Sequence, residues 1–122
     1  METKQLALRI ASLARFKKAR SPIVLDMRKV SSFCDYFIIL SGSSLRQVSA
    51  LAATIDEDLS GLKIKPLSQV VPGDESGWVV LDYTTVIVHI FYEPLREFYA
   101  LERLWSDAKR VRIPREIRKT QN

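Results

Sequence analysis

Apolar residues recur every three or four positions in three stretches of the chain, which predicts three helices with one buried face each. The buried positions are Leu6, Ile10, Leu13 and Phe16 in the first stretch, Leu45, Val48, Leu51, Ala52, Ile55 and Leu59 in the second, and Leu95, Phe98, Leu101 and Trp105 in the third. Pro22 should end the first helix, and Ser43 or Ser44 should cap the second. Gly61 should end the second helix and Pro94 should open the third.

Five other stretches have the composition of strands. They are residues 23–27, 35–40, 63–71, 78–83 and 86–92. The second is apolar on both faces, as in a central strand covered from both sides, and Pro66 makes the third an edge strand. The last two are so close in sequence that they must form a hairpin. The pattern predicts a single α/β domain with a mixed sheet of approximately five strands flanked by helices.

Composition narrows the class of protein. The chain has 122 residues and 14.0 kDa, the size of one domain, and its 47% hydrophobic content excludes a disordered chain. Its single cysteine, Cys34, excludes a scaffold built on internal disulfides. No apolar run reaches the ~18 residues of a membrane span, so no membrane is expected as a partner. The expected compartment is the cytoplasm.

Charge is unevenly distributed along the chain. The net charge of +5 divides into +5 for residues 1–25, −5 for residues 26–108 and +5 for residues 109–122. An acidic body with two basic ends suits contact with a nucleic acid or an acidic assembly. We therefore expect a domain over residues 1–108 and a flexible basic tail over residues 109–122.

The chain offers few residues for catalysis or metal binding. His89 is its single histidine and lies in a predicted strand, and nothing in the sequence pairs it with Cys34. A nucleophilic cysteine needs a base, and a zinc site needs three or four ligands of these types. No metal or cofactor is expected.

One turn has a counterpart among enzymes. Gly42-Ser43 lies between a predicted strand and a helix, where backbone amides can hold a phosphate. In nucleotidyltransferases such a turn precedes a strand with two carboxylates one residue apart, which bind magnesium. Here the positions two residues before and two residues after Asp82 hold Val80 and Thr84, neither of which is a carboxylate. The turn resembles that fold, but the metal-binding pair is missing, which argues against an enzyme.

Three blocks of sequence resemble the ribosomal silencing factor family, also called the Iojap or YbeB-like family. The blocks are DYFII followed by SGSSLRQV within residues 35–48, WVVLDY followed by VIVHIF within residues 78–91, and REFYALERLWSDA at residues 96–108. They keep the order and spacing of the family and span most of residues 3–108. The tail lies outside them, and Thr84-Thr85 replaces a Gly-Asp pair, so the hairpin turn should be different in shape or looser.

The resemblance implies a nucleotidyltransferase-like fold without the active site, and a function that is not enzymatic. It implies binding to the large ribosomal subunit through ribosomal protein L-fourteen, which blocks joining with the small subunit and lowers translation when nutrients are scarce. Two alternatives remain open, a metal-dependent nucleotidyltransferase and a general RNA-binding module. A homodimer of the free protein is also an open possibility.

Several residues are candidates for contact with partners. Trp78, at the start of a predicted strand, is the expected anchor, because large aromatic side chains dominate interface energies. The other candidates for the protein partner are Asp82, Tyr83, His89, Glu93, Arg46 and Gln47, and those for ribosomal RNA are Arg110, Arg112, Arg115 and Arg118. Arg46 and Gln47 could instead position the turn before the second helix.

Overall fold

A computed structural model of the chain describes residues 1–67 and 76–114. The elements follow in the order α1 Thr3–Phe16, β1 Arg20–Asp26, β2 Tyr36–Gly42, α2 Leu45–Gly61, β3 Trp78–Asp82, β4 Val86–Tyr92, α3 Glu93–Tyr99, α4 Leu101–Leu104 and β5 Lys109–Val111. The strands form one mixed sheet in the order β3-β4-β2-β1-β5. The predicted class, an α/β domain with a mixed five-stranded sheet, is confirmed.

The centre of the sheet is a parallel pair, and the remaining pairs are antiparallel. β2 runs parallel to β4, with Tyr36 opposite Val86 and Gly42 opposite Tyr92, and it runs antiparallel to β1 on its other side. β3 pairs with β4 as the predicted hairpin. Because β2 lies between two strands and both of its faces are covered, its uninterrupted apolar sequence is explained.

The two faces of the sheet pack against different layers. One face packs on the apolar sides of α1 and α2 and forms the larger core cluster. The other face carries a smaller cluster with α3, α4 and the loop between β1 and β2. Alternation along β3 follows this division, because Val79 and Leu81 are buried in the larger core while Val80 is exposed on the other face.

Local signals explain the start of α2. Ser44 is the N-cap, and its hydroxyl accepts a hydrogen bond of 3.0 Å from the backbone N–H of Gln47. Gly42 lets the helix approach the sheet, since a Cβ at this position would lie 3.0 Å from both Cγ2 and the backbone nitrogen of Val48. Gly61 is the last helical residue, and the chain turns at Lys63, whose φ is +63°.

Two helical predictions need correction. The third helix is broken after Tyr99, where Ala100 adopts a left-handed conformation with φ +48°, so α3 and α4 are separate. Phe16 and Leu45 were assigned to buried faces but are 53% and 38% exposed. Both lie at a helix terminus.

The fifth strand is not the one predicted. Residues 63–67 form no strand, and the rest of the predicted edge strand, residues 68–71, lies outside the described residues. The sheet is instead completed by β5, which pairs antiparallel with β1. Val111 and Ile113 pack against the larger core cluster. The predicted domain boundary at residue 108 thus falls just before a strand of the sheet.

Candidate partner-binding surface

Trp78 begins β3 at a part of the sheet that α3 covers only in part. Its ring stacks on Phe91 with centroids 5.0 Å apart and meets Tyr99 of α3 at 4.9 Å. Val80, on the same side of β3, is 42% exposed, and Tyr99 is 47% exposed. These residues, Trp78, Val80 and Tyr99, are called the Trp78 surface below.

A glycine permits this arrangement. Gly77 is buried and has φ +83°, a conformation that L side chains rarely adopt. A Cβ at this position would overlap Cδ1 of Leu95 in α3. The carbonyl of Gly77 accepts a hydrogen bond of 2.7 Å from the backbone N–H of Tyr92, where α3 begins. The entry to β3 and the start of α3 are thus held together, which places Tyr99 beside Trp78.

His89 lies beneath Trp78 and does not reach the solvent. The indole Nε1 of Trp78 donates a 3.3 Å hydrogen bond to Nδ1 of His89, and the ring of Phe37 meets the imidazole at 4.7 Å. The Nε2 atom is buried without a hydrogen-bond partner among the described residues. Burial lowers the pKa of His89 to about 4, so the imidazole is neutral near pH 7. Its hydrogen bond is to the indole of the residue that the sequence predicts as an anchor.

Asp82 is engaged in the hairpin turn. Its Oδ1 accepts a 2.8 Å hydrogen bond from the backbone N–H of Thr84, and the N–H of Thr85 bonds back to the carbonyl of Tyr83 at 2.9 Å. A bond between residues two apart closes a γ-turn around Thr84, whose φ is +75°. The turn is therefore tight, and a β-branched residue occupies a conformation that it normally avoids.

Tyr83 and Gln47 have structural contacts away from the Trp78 surface. Tyr83 is buried in the larger core, and its hydroxyl donates to Oδ1 of Asp56 at 3.4 Å. Burial raises its pKa above the ordinary value. The Oε1 of Gln47 accepts a 2.6 Å bond from the N–H of Ser43, and its Nε2 donates to the carbonyl of Lys18 at 3.2 Å. Gln47 therefore positions the turn before α2.

The charged candidates lie on other parts of the surface. Arg46 is exposed in the first turn of α2, and Glu93 is exposed at the start of α3, with its Oε1 3.7 Å from Nε of Arg20. Arg110 and Arg112 are exposed in and directly after β5. Arg115 and Arg118 lie outside the described residues. The structure thus brings Trp78 and His89 together. Asp82 lies at the other end of β3, the strand that begins with Trp78.

Arg96 of α3 is buried, although no pattern in the sequence indicated it. Its Nη1 donates to Oγ of Ser41 at 2.9 Å and to the carbonyl of Arg20 at 3.3 Å, and its Nε lies 3.2 Å from Oε2 of Glu102. These bonds fasten α3 and α4 to the ends of β1 and β2. Arg96 looked like an exposed residue of an amphipathic helix. Its burial arises because the strand ends leave a polar recess under α3.

Comparison with known proteins identifies the family of this chain. A family described as "Ribosomal silencing factor during starvation" matches residues 1–122. The chain belongs to the ribosomal silencing factor family. The match includes the basic C-terminal segment, which the three sequence blocks did not. The protein named ribosomal silencing factor RsfS in Bacillus subtilis is 36% identical over 110 residues, which cover 88% of this chain and 91% of that protein.

More distant relatives and solved structures agree with this membership. A mouse protein named "Mitochondrial assembly of ribosomal large subunit protein 1" is 29% identical, over 80% of this chain and 43% of its own length. A crystal structure of a protein from Chromobacterium violaceum superposes with a TM-score of 0.80 at 27% identity, covering 87% of this chain and 88% of that one. A structure from Bacillus halodurans gives a TM-score of 0.71 at 30% identity, with 89% and 95% covered.

The described residues contain neither a candidate metal-binding cluster nor a candidate membrane-spanning helix. Among the described residues, no group of three or more histidine, cysteine, aspartate or glutamate side chains is arranged to hold a metal ion. Within the same residues, no helix has the length and apolar character needed to cross a membrane.

Proposed function

We propose that this protein silences ribosomes by binding the large ribosomal subunit through ribosomal protein L-fourteen. In that position it blocks joining with the small subunit and represses translation in the cytoplasm when nutrients are limiting. The observation that carries the proposal is the Trp78 surface, an aromatic and aliphatic patch on a sheet face that the helices leave partly open. Membership of the ribosomal silencing factor family supports the assignment of the partner.

The Trp78 surface has the physical properties of an interface centre. Trp78 is held by stacking on Phe91 and by its bond to His89, so little side-chain entropy is lost when a partner packs against it. Large aromatic residues in this position dominate interface energies, and exposed Val80 extends the apolar contact. The acidic residues of the central part of the chain would steer a basic ribosomal protein toward this face.

We also propose that the protein is not an enzyme. A nucleotidyltransferase would need paired carboxylates that hold magnesium, and Asp82 instead uses its carboxylate to close the hairpin turn. Magnesium-dependent nucleotide binding should therefore be undetectable in calorimetry. Saturable binding of a nucleoside triphosphate that requires magnesium would favour the transferase alternative.

The proposed docking is tested by placing a charge on the Trp78 surface. Val80→Lys should weaken binding to L-fourteen by about 30-fold, or about 2 kcal/mol, because a lysine at the interface would have to be desolvated. Val80 is suitable because its exposure lets the variant fold, whereas Trp78 packs on Phe91 and its loss would disturb the core. Sucrose-gradient sedimentation of mixed subunits would report the consequence for subunit joining.

Leu62→Lys is the matched control, because Leu62 has a similar exposure of 39% and lies at the end of α2. The control should block subunit joining as the wild-type protein does. If Val80→Lys blocks joining as well as the control does, the Trp78 surface is not the docking site. If the wild-type protein leaves subunit association unchanged, the silencing proposal itself is wrong.

The proposal also includes a homodimer of the free protein, formed through the same surface. An exposed apolar patch favours self-association when its partner is absent. Sedimentation equilibrium should then show a weaker dimer for Val80→Lys than for Leu62→Lys. Equal association of the two variants would place the dimer contact elsewhere.

A further inference from the structure

The fold brings the two basic ends of the chain together. β5 runs antiparallel to β1, so the chain after Val111 runs back toward the beginning of β1 and the end of α1. Nη2 of Arg15, in the last turn of α1, donates a hydrogen bond to the carbonyl oxygen of Pro114, 99 positions away in sequence. Two basic segments that are separate in the sequence therefore form one surface.

The start of α2 adds to the same surface. The side chain of Gln47 donates to the carbonyl of Lys18, so the first turn of α2 lies beside the residues that follow α1. The combined surface, called the basic end below, comprises Arg15, Lys17, Lys18, Arg20, Arg46 and Arg112. All of them are exposed except Arg15, which is half-buried.

The positive charge of the basic end is largely uncompensated. Among the described residues, Arg20 is its one member with an ion pair, a 3.7 Å contact to Glu93. Elsewhere, Arg9 and Arg28 each pair closely with a carboxylate of the same chain. A cluster of like charges repels itself, and an anionic partner would offset that repulsion.

We infer that the basic end binds the phosphate backbone of duplex RNA. Lysine and arginine side chains that project from a helix end, a strand end and a helix start can follow phosphates without reading bases. β3 and β5 are opposite edges of the sheet, four strand spacings or roughly 19 Å apart, so the part of the basic end that follows β5 and the Trp78 surface can be occupied together. The choice of RNA over another polyanion rests on the proposed function, which places the protein on a ribosomal subunit.

The test is a triple variant, Lys17→Gln, Lys18→Gln and Arg112→Gln, which removes three exposed charges that make no described ion pair. Binding of a short RNA duplex is measured by fluorescence anisotropy over a range of salt concentrations. The triple variant should bind at least ~10-fold more weakly at ~0.1 M salt, and the slope of log affinity against log salt should be shallower by about 2 to 3. Its affinity for purified L-fourteen should be unchanged.

The matched control removes three exposed lysines outside the basic end, Lys4→Gln, Lys29→Gln and Lys65→Gln. It has the same net charge as the triple variant and should keep most of the RNA affinity and the salt slope. Equal losses in the two variants, or no binding of duplex RNA by the wild-type protein, would overturn the inference. Loss of L-fourteen binding by the triple variant, with RNA binding intact, would instead assign the basic end to an acidic protein surface.

The RNA duplex assay contains no ribosomal component, so its result is independent of the silencing proposal. A protein that binds the duplex through the basic end but leaves subunit joining unchanged would refute the proposed function alone. A protein that blocks joining while the triple variant and the control bind RNA equally would refute the present inference alone.

Discussion

At the scale of single residues, His89 shows how burial changes the role of a polar side chain. A lone histidine in a strand can contact a partner, bind a metal or pack inside the protein. Here it accepts a hydrogen bond from Trp78, and its Nε2 is enclosed. The protein thus keeps a neutral imidazole beneath the residue that we assign as the anchor, and protonation of that imidazole must oppose folding.

We predict that His89 makes the stability of the protein dependent on pH. Its pKa is about 4 in the folded chain, against an ordinary value of 6.5. Protons therefore bind preferentially to the unfolded chain. The stabilisation that the neutral imidazole contributes is complete above pH 6.5. As the pH falls to 4 this stabilisation is lost, and the free energy of unfolding decreases by about 3 kcal/mol. Urea denaturation at a series of pH values measures this loss.

His89→Gln serves as the reference, because the carboxylates titrate in both proteins and their effects cancel in the difference. Between pH 6.5 and 4, the free energy of unfolding of the wild-type protein should fall by more than that of the variant. Parallel curves would mean that the imidazole is accessible to protons in the folded state.

We predict that Thr84→Gly stabilises the protein. Thr84 has φ +75° in the γ-turn, and a non-glycine residue in such a conformation destabilises the fold by about 1–3 kcal/mol. Glycine removes that strain but increases the entropy of the unfolded chain, so a net gain of about 1 kcal/mol is expected. Thermal unfolding of Thr84→Gly and of Thr85→Gly tests the assignment. Thr85 is not among the residues with positive φ, so its replacement should lower the stability.

At the scale of elements, the end of the chain is less regular than its apolar periodicity indicates. Leu95, Leu101 and Trp105 all pack on the smaller core cluster, as one continuous helix would predict. The left-handed residue Ala100 nevertheless separates α3 from α4. The hydrogen bond and the ion pair of Arg96 hold α3 and α4 against the strand ends. Periodicity therefore identified most of the buried residues but not the break between the helices.

We predict that Arg96→Met destabilises the protein by about 2 kcal/mol, because it leaves Glu102 as a half-buried carboxylate without its cation and removes the bond to Ser41. Arg103→Met is the control, since Arg103 is exposed and makes no ion pair with the described residues. The free energy of unfolding of the Arg103→Met protein should change by no more than ~0.5 kcal/mol. Equal effects of the two substitutions in urea denaturation would contradict the anchoring role of Arg96.

A second element-scale prediction concerns β5. A chain that ends at Ala108 should be less stable than one that ends at Pro114, by about 2 kcal/mol, because Val111 and Ile113 would no longer pack on the core. The edge of β1 would also lose its partner strand. Comparing these two truncated chains by chemical denaturation isolates β5 from the residues that follow it. Equal stability would show that β5 adds nothing to the fold.

At the scale of the whole molecule, the sheet separates two kinds of surface. The Trp78 surface is apolar and lies toward the β3 edge, while the basic end reaches from the start of α2 to β1 and the residue after β5. The net charge of the chain and its division into three segments gave no indication of this geometry. If the proposed function and the inference about the basic end both hold, the two surfaces would be engaged at once, which would raise the affinity for an assembled subunit above that for either component.

The sequence predicted the local part of the structure well. The central strand, the hairpin and a serine cap at the start of α2 follow from spacing and residue type. For the candidate site, Trp78 was correctly placed at the start of a strand and near its rim. Tyr83 was less well predicted, because its alternation in the strand did not reveal which face of the sheet remained open.

By itself, the sequence determined the class of fold, the positions of the main helices and strands, and the family. These depend on patterns that repeat over a few residues or on short blocks of characteristic sequence. Only the tertiary structure decided that β5 completes the sheet, that His89 lies under Trp78, that Arg96 is buried and that the two basic segments meet. Each of these depends on residues far apart in sequence, because strand pairing, desolvation and charge clustering are properties of neighbours in space.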